Sequence, residues 1–200
     1  MKTERMDKIK KIFIDQGPII RSTLLRKNKF YSKDINELIT QSYLKKIKTG
    51  YYIWSSFMNN LSDLEIAASV IPNAVVCMLS AASYHELTTI NPISIDIAVP
   101  SEGISPILPA FPPINLYKVA KNIYGIGKIE IKTANSTIHI YDKERTVCDF
   151  FRLRLQLGED VALEILRNYM LGIKNMQRLY EYAAKLRIKN VIKPYVQAMI

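Results

Sequence analysis

The chain has 200 residues, of which 48% are hydrophobic, and its 28 Lys and Arg outweigh 18 Asp and Glu to give a net charge of +10. This length fits one or two domains, and the hydrophobic content is ample for a packed core. The two cysteines, Cys77 and Cys148, lack the CxxC spacing of a zinc site and are too few for a disulfide scaffold. We therefore expect two buried, reduced thiols.

The sequence also argues against export and membrane insertion. Residues 1–11 are charged and no apolar segment follows them, so we expect no signal peptide. An uncharged run of 20 residues, 66–85, is long enough to cross a bilayer, but Pro72 and several polar side chains interrupt it. We therefore expect a cytoplasmic protein without a membrane span.

The excess positive charge is concentrated at the start of the chain. Residues 1–54 hold 13 Lys and Arg against 5 Asp and Glu, a net charge of +8, whereas residues 55–200 have a net charge of only +2. Such asymmetry indicates a polyanionic partner. A membrane surface is the alternative polyanion, but the first helix lacks the broad apolar face with Trp or Phe clusters that an interfacial anchor needs.

The first predicted element is an amphipathic helix over residues 4–16. Its apolar positions recur at helical spacing, and Gly17 followed by Pro18 ends it. The apolar side of this helix predicts that it packs on the segment that follows.

Residues 18–54 have the pattern of a winged helix-turn-helix. A short helix begins near Ser22, and a second helix, capped by Ser32, runs to about Gln41. Apolar residues of the second helix recur at i, i+3 and i+4, which places them on one buried face. A hairpin follows over residues 44–54, with a glycine in its turn.

The exposed face of the second helix is the candidate recognition surface. Four polar side chains would contact base edges, namely Lys33, Asn36, Glu37 and Thr40. Five lysines around them would hold phosphates, namely Lys27, Lys29, Lys45, Lys46 and Lys48, and Arg21 and Tyr31 are further candidate DNA contacts. The alternative is that this helix–helix–hairpin unit is a protein-docking module with no role in DNA binding.

Residues 55–60 have the composition of a linker, and we place a boundary there between a DNA-binding domain, 1–57, and a second domain, 58–200. The second domain begins with a capping box of Ser62 and Glu65. Its predicted strands cover residues 73–78, 94–99, 114–119, 128–133 and 137–141, the last two as a hairpin around 134–136. Its predicted helices cover residues 62–71, 81–87, 143–156, 159–171, 175–187 and 190–199. The fold class is therefore α+β, with a small sheet and a helical C-terminus.

One set of residues in the second domain fits a catalytic metal site. Asp96 on one predicted strand, with Glu130 and Lys132 on another, has the residue types of many metal-dependent nucleases, in which two acids hold Mg²⁺ and the lysine polarises water. The alternative is an ordinary solvent-exposed strand, because residues 128–132 alternate charged and apolar side chains. We expect no enzyme activity, no metal and no cofactor, and keep a Mg²⁺-dependent nuclease with a winged-helix head as the alternative function.

Charged residues also recur on the predicted C-terminal helices. Arg145, Asp149 and Arg152 have the i, i+4 and i+3 spacing of a local ion network that stabilises a helix. Residues 174–193 contain six cations and a single acid, Glu181. These cations predict a second basic surface that touches flanking DNA or another acidic partner, and they are Lys174, Arg178, Lys185, Arg187, Lys189 and Lys193. The alternative is a solvated helix face.

Three stretches, taken in order, resemble a known family. They are residues 44–52 (Leu-Lys-Lys-Ile-Lys-Thr-Gly-Tyr-Tyr), residues 79–88 (Leu-Ser-Ala-Ala-Ser-Tyr-His-Glu-Leu-Thr) with Asn91-Pro92 and Ala98-Val-Pro100, and residues 144–149 (Glu-Arg-Thr-Val-Cys-Asp) with Leu157-Gly-Glu-Asp160. Together they span nearly the whole chain, which resembles the AbiEi-type antitoxins, transcriptional regulators of abortive-infection toxin–antitoxin systems. One departure lies at residues 84–86, Tyr-His-Glu, where a small residue and a glycine are common in the family.

The resemblance implies a two-domain repressor that binds operator repeats in double-stranded DNA upstream of its own operon. It also implies that the second domain helps to neutralise a nucleotidyltransferase-like toxin without a stable complex, as in a type IV toxin–antitoxin system of phage defence. Glu144, Arg145 and Asp149 would then build the structure of the second domain. The function expected from the sequence is therefore a cytoplasmic DNA-binding antitoxin.

Overall fold

The computed structural model describes residues 3–133 and 136–199. Its first unit, residues 3–54, consists of α1 (Thr3–Gln16), β1 (Ile19–Arg21), α2 (Ser22–Lys27), α3 (Ser32–Thr40), β2 (Leu44–Lys48) and β3 (Tyr51–Trp54). The strands form an antiparallel sheet in the order β1-β3-β2. The helices and the hairpin agree with the sequence prediction, whereas β1 was not predicted because three residues are too few to show an alternating pattern.

The three helices pack on one face of this sheet around an apolar core. Ile9 and Phe13 of α1, Leu25 of α2 and Leu38 of α3 are at most 1% exposed. Phe13 lies against Trp54 of β3, with the ring centroids 5.8 Å apart. Because burying a large apolar side chain contributes about 1.5–3 kcal/mol, this core fixes the position of α3 on the sheet.

Residue Tyr31, rather than the predicted Ser32, occupies the position before the first turn of α3. The carboxylate of Asp34 accepts a hydrogen bond from the Tyr31 backbone N–H at 2.9 Å, so the first turn is capped by a side chain from inside the helix. The turn before it is closed at Lys29, whose φ is 62°. The N–H of Phe30 then donates to the Leu25 carbonyl at 3.0 Å, a bond that ends α2 in the usual left-handed manner.

A 3-10 helix, Ser55–Asn60, lies where the sequence predicted a linker, and it leads into the second unit, residues 62–199. The elements of that unit are α4 (Asp63–Val70), β4 (Val75–Val76), α5 (Met78–Tyr84), β5 (Ile95–Pro100), β6 (Ile114–Val119), α6 (Lys121–Tyr124), β7 (Lys128–Lys132), β8 (Thr137–Tyr141), α7 (Lys143–Arg152), α8 (Arg154–Leu157), α9 (Glu159–Leu171), α10 (Met176–Lys185) and α11 (Lys189–Ala198). The strands form a mixed sheet in the order β6-β5-β4-β8-β7. The predicted α+β class with a helical C-terminus is thus confirmed.

Helix α4 lies between the two sheets and joins the units. Its Ala67 and Val70 share one buried cluster with Tyr51 of the first sheet and Ile97 and Ile140 of the second. The predicted capping box forms at its start. The Ser62 N–H donates to the Glu65 carboxylate at 2.9 Å, and the Glu65 N–H donates to the Ser62 hydroxyl at 3.3 Å. The face of the first sheet that is turned away from α1–α3 is therefore covered by the second unit.

The other face of the five-stranded sheet carries α5, α7, α9, α10 and α11. Cys77 and Cys148 lie in this core as buried free thiols, as predicted. Burial raises the pKa of both thiols well above the usual value. The C-terminal helices thus form the apolar cover of the sheet, and neither thiol has the exposure that a reactive cysteine needs.

Several element borders differ from the sequence prediction. The helix predicted over 143–156 is divided at Leu153 into α7 and α8, and the strand predicted over 73–78 is only the two residues of β4. Helix α6 was not predicted. The hairpin β7–β8 is confirmed, but residues 134 and 135 of its predicted turn lie outside the described residues.

Arg145 of α7 is enclosed in the second unit and forms the predicted ion network. Its Nε lies 2.9 Å from Asp149 Oδ2, and Arg152 Nη2 lies 3.3 Å from Asp149 Oδ1. Arg145 Nη1 also donates to the carbonyls of Ile123 and Ile126, at 2.6 and 2.8 Å. Burial raises the pKa of Asp149, while both arginines act in the opposite direction. The network joins α7 to the α6–β7 segment as well as stabilising its own helix.

Two further polar side chains, Glu144 and His85, form hydrogen bonds inside the second unit. Glu144 Oε1 accepts a hydrogen bond from the Tyr169 hydroxyl at 3.0 Å, which ties α7 to α9. His85, at the end of α5, lies 2.7 Å from the Tyr141 carbonyl through Nε2, and burial lowers its pKa. Glu144, Arg145 and Asp149 therefore have structural roles, as the sequence predicted.

None of the described helices combines the length and apolar character needed to cross a bilayer. The longest, α1, has 14 residues. A helix that spans the hydrocarbon layer needs about 20.

Candidate nucleic-acid interface

Helix α3 presents a polar face that no element among residues 3–133 and 136–199 covers. Ile35 and Leu38 point into the core, whereas Lys33, Asn36 and Thr40 are exposed. Glu37, the fourth predicted base-contacting residue, is partly exposed on the same side of the helix. The structure therefore places all four predicted side chains on the surface of one helix.

Arg5 of α1 fixes the orientation of α3. Its guanidinium forms two hydrogen bonds with the Asp34 carboxylate, both at 3.0 Å, and a third with the Lys29 carbonyl at 2.7 Å. The same group lies 4.7 Å from the centre of the Phe30 ring. The hydrogen bond from Arg5 lowers the pKa of Asp34, so this carboxylate stays ionised. Arg5 thus joins α1, the end of α2 and the first turn of α3.

The sequence did not single out Arg5, and the reason is physical. Its partner Asp34 is 29 residues away, and no local pattern connects the two positions. Only the packing of α1 against the α2–α3 turn brings the ion pair together.

The turn between α2 and α3 adds exposed groups beside the recognition face. Lys27, Lys29 and Tyr31 are exposed, and the Tyr31 side chain retains 58% of its accessible surface. The left-handed backbone at Lys29 reverses the chain there, so that its side chain projects at the corner between the two helices. All three predicted DNA contacts therefore lie on the surface next to α3.

The lysines of β2 divide between the two faces of the first sheet. Lys46 pairs with Tyr52, whose ring packs on the core beneath α1–α3, so Lys46 belongs to the face that carries α3. Lys45 pairs with Ile53 and therefore belongs to the opposite face. Both side chains are exposed, but only Lys46 shares a sheet face with the predicted recognition helix.

Lys48 and Arg21, two further predicted DNA contacts, lie on the face of the sheet opposite α3. Lys48 Nζ donates to the Ile107 carbonyl of the second unit at 2.8 Å and lies 4.7 Å from the Tyr51 ring centre. Arg21 lies over the same ring at 5.1 Å. Burial, assisted by the charge of Arg21, lowers the pKa of Lys48. Because Tyr51 faces the second unit, these two cations point away from the α3 side of the sheet.

The residues of the predicted nuclease site do not come together. Asp96 lies on β5 and Glu130 and Lys132 lie on β7, with β4 and β8 between them, a separation of roughly 14 Å across the sheet. Two carboxylates that share a Mg²⁺ each hold it at about 2 Å. Within residues 3–133 and 136–199, no group of three His, Cys, Asp or Glu side chains is placed to hold a metal ion.

The second basic surface is exposed, but its six members are not equivalent. Arg178 lies 3.9 Å from Glu144 and 4.0 Å from Asp142, and Lys174 donates to the Met170 carbonyl at 2.6 Å. The other four are exposed around the turn between α10 and α11, and they are Lys185, Arg187, Lys189 and Lys193. Lys174 and Arg178 therefore already interact with other groups of the same chain, and the other four cations form the remaining basic patch.

Comparison with known proteins gives no relative from which a function could be transferred, because no family model and no curated protein matches this chain. A function is therefore inferred mainly from the geometry of α3 and its surroundings.

Proposed function

We propose that residues 3–54 are a winged helix-turn-helix and that the protein is a cytoplasmic, sequence-specific DNA-binding repressor. The observation that carries this proposal is the uncovered polar face of α3, held rigidly by Arg5 and by the core. The order of elements, α1-β1-α2-α3-β2-β3 with a three-stranded antiparallel sheet, supports it. In this arrangement α3 is the recognition helix and the β2–β3 hairpin is the wing.

The chemistry of the α3 face suits duplex DNA. Asn36 can donate to and accept from adenine in the major groove, and Lys33 can donate to guanine. Lys27, Lys29 and Lys46 are exposed around the helix and can hold phosphates. If these three lysines each neutralise one phosphate, the logarithm of affinity falls with the logarithm of salt with a slope of roughly −3 per protomer.

We propose that the biological role is that of an antitoxin that represses its own operon and counters a nucleotidyltransferase-like toxin. The ordered resemblance of residues 44–52, 79–100 and 144–160 to the AbiEi-type family supports this role. The second unit would carry the neutralising activity, and its α10–α11 patch would contact DNA that flanks the operator.

Binding to DNA is tested with the duplex upstream of the protein's own gene and a scrambled duplex of equal length. Fluorescence anisotropy at fixed salt should show that the upstream duplex binds at least about 10³-fold tighter. Equal affinity for the two duplexes would contradict a repressor, and no binding to either would favour a protein-docking module.

The role of α3 is tested with Asn36→Ala. This change removes a base-edge contact and should cost about 1–3 kcal/mol of discrimination between the two duplexes, with little effect on binding to scrambled DNA. Asn59→Ala is the matched control, because Asn59 is exposed in the 3-10 helix away from α3. A loss of affinity that is equal on both duplexes would show that α3 does not read the bases.

The antitoxin role is tested separately. We expect a nucleotidyltransferase-like toxin to be encoded next to this protein's gene, and the two are then co-expressed. Growth should be restored by the whole protein and also by Asn36→Ala, if neutralisation resides in the second unit. Failure to restore growth would overturn the antitoxin role while leaving DNA binding intact, so the two parts of the proposal fail independently.

A further inference from the structure

A cavity of about 210 Å³ opens in the second unit, on the sheet face that carries α7–α11. Its walls are mainly apolar and come from α5, α7, α8, α9 and the segment between α5 and β5. A few polar residues converge in it, including Asp96 of β5 with Asn115 and Tyr117 of β6. An apolar pocket with a small number of converging polar groups is the usual form of a ligand site.

Asp96 is the unusual member of this lining. It is only 4% exposed, and within the described residues no Lys, Arg or His forms an ion pair with it. Its carboxylate accepts hydrogen bonds from the Leu79 backbone N–H at 3.0 Å and from Asn115 Nδ2 at 3.1 Å. The Ser80 backbone N–H also donates to it, and burial raises the pKa of Asp96 against the effect of these three bonds. Buried carboxylates are normally paired with a cation, and this one is not.

The bond to Leu79 explains part of the placement of Asp96, because it satisfies an N–H in the first turn of α5. It does not use the whole carboxylate. Each oxygen of an ionised carboxylate has two lone-pair positions, so the bonds from Leu79, Ser80 and Asn115 leave about one of the four positions unused. The cavity in front of Asp96 provides the space in which a donor could use that capacity.

We propose that this cavity binds a small organic ammonium ion, whose charged nitrogen meets Asp96 and whose apolar body fills the space between α7 and the α5–β5 segment. Tyr117 and Phe150 line the same cavity, and aromatic rings favour a nearby ammonium group. A cavity of about 150 Å³ admits benzene, so this one accommodates a slightly larger body. A hydrated metal ion is a poor fit, because the walls are apolar and only one carboxylate is present.

Three ligands of equal chain length separate charge from apolar fit, namely n-hexylamine, n-hexanol and hexanoate. At pH 8 a primary alkylamine is protonated, because its pKa resembles that of Lys, about 10.4. Titration of the full chain, followed by NMR shifts of residues around the cavity, should give hexylamine at least tenfold tighter binding than hexanol. Hexanoate should not bind. Equal affinity for the amine and the alcohol would overturn the proposal.

Asp96→Asn tests the assigned partner, because Asn keeps an oxygen that can accept from the Leu79 N–H but has no charge. It should abolish the preference for hexylamine over hexanol while hexanol binds as before. A preference that persists in Asp96→Asn would overturn the assignment. If this variant does not fold, Val161→Phe fills the cavity from α9 and should weaken hexylamine binding at least tenfold, and unchanged binding would be equally decisive against the site. Neither test depends on DNA binding.

Discussion

Each unit of the molecule contains an arginine–carboxylate pair, and the two pairs differ in their access to water. The side chains of Arg5 and Asp34 are 42% and 18% exposed, whereas those of Arg145 and Asp149 are 0% and 3% exposed. Water screens the first pair, so it orients α3 more than it stabilises the fold. The second pair is enclosed, so either partner alone would be a buried charge without compensation. The Arg5–Asp34 pair is thus open to solvent beside α3, while Arg145 at the centre of the second unit belongs to the fold.

The largest predicted effect follows from that enclosure. Arg145→Met leaves Asp149 buried with only Arg152 as a cationic partner and also removes the guanidinium donor from the carbonyls of Ile123 and Ile126. We expect the free energy of unfolding to fall by about 3–5 kcal/mol, measured by urea denaturation. Arg5→Met should leave the second unit folded, because Arg5 contacts only the α1–α3 region.

The double variant Arg145→Met with Asp149→Leu sharpens this comparison. Removing both charges together should cost less than the sum of the two single changes, since no unpaired charge remains. Additive costs would show that the two residues do not act as a pair.

Two lysines of β2, Lys46 and Lys48, allow solvent-exposed and engaged cations to be compared within one strand. Lys46→Gln should reduce the magnitude of the salt slope of DNA binding by about 1, because an exposed phosphate contact is lost. Lys48→Gln should leave the slope unchanged, since its ammonium already bonds the Ile107 carbonyl. Equal reductions in both variants would restore Lys48 to the interface and contradict the distinction between available and engaged cations.

The sequence separation between interacting residues explains what could be predicted from the sequence. The helix α3 and its polar face follow from local periodicity, and the buried network of Arg145 follows from i, i+4 spacing within α7. The pairs Arg5–Asp34 and Lys48–Ile107 join positions 29 and 59 residues apart, and no local pattern encodes them. The separation of Asp96 from Glu130 depends on the strand order, which alternation along single strands does not reveal.

A smaller effect is expected at the left-handed ends of helices. Lys29 has φ 62° and Glu86 has φ 59°, and both positions favour glycine. Lys29→Gly and Glu86→Gly should each stabilise the protein by about 0.5–1 kcal/mol, because a side chain in this conformation is strained. Only Lys29→Gly should also weaken DNA binding, since Glu86 lies in the second unit.

The control for these two changes is Lys33→Gly. Lys33 lies in the first turn of α3 with an ordinary helical backbone, so glycine there should destabilise by about 0.5 kcal/mol instead. Loss of stability in Glu86→Gly as well would contradict the left-handed helix end.

The smallest predicted effect is a pH dependence confined to the second unit. Burial lowers the pKa of His85 below its ordinary value of 6.5. As the pH falls through 6.5, the unfolded chain therefore takes up a proton more readily than the folded protein, and stability is lost until the pH passes the folded pKa. His85→Gln should flatten this part of the stability curve, because Gln retains a donor for the Tyr141 carbonyl but does not titrate. His139→Gln is the matched control, because His139 is partly exposed and lies 3.9 Å from Glu130. If the curve keeps its slope in His85→Gln, burial of His85 is not the cause of the pH dependence.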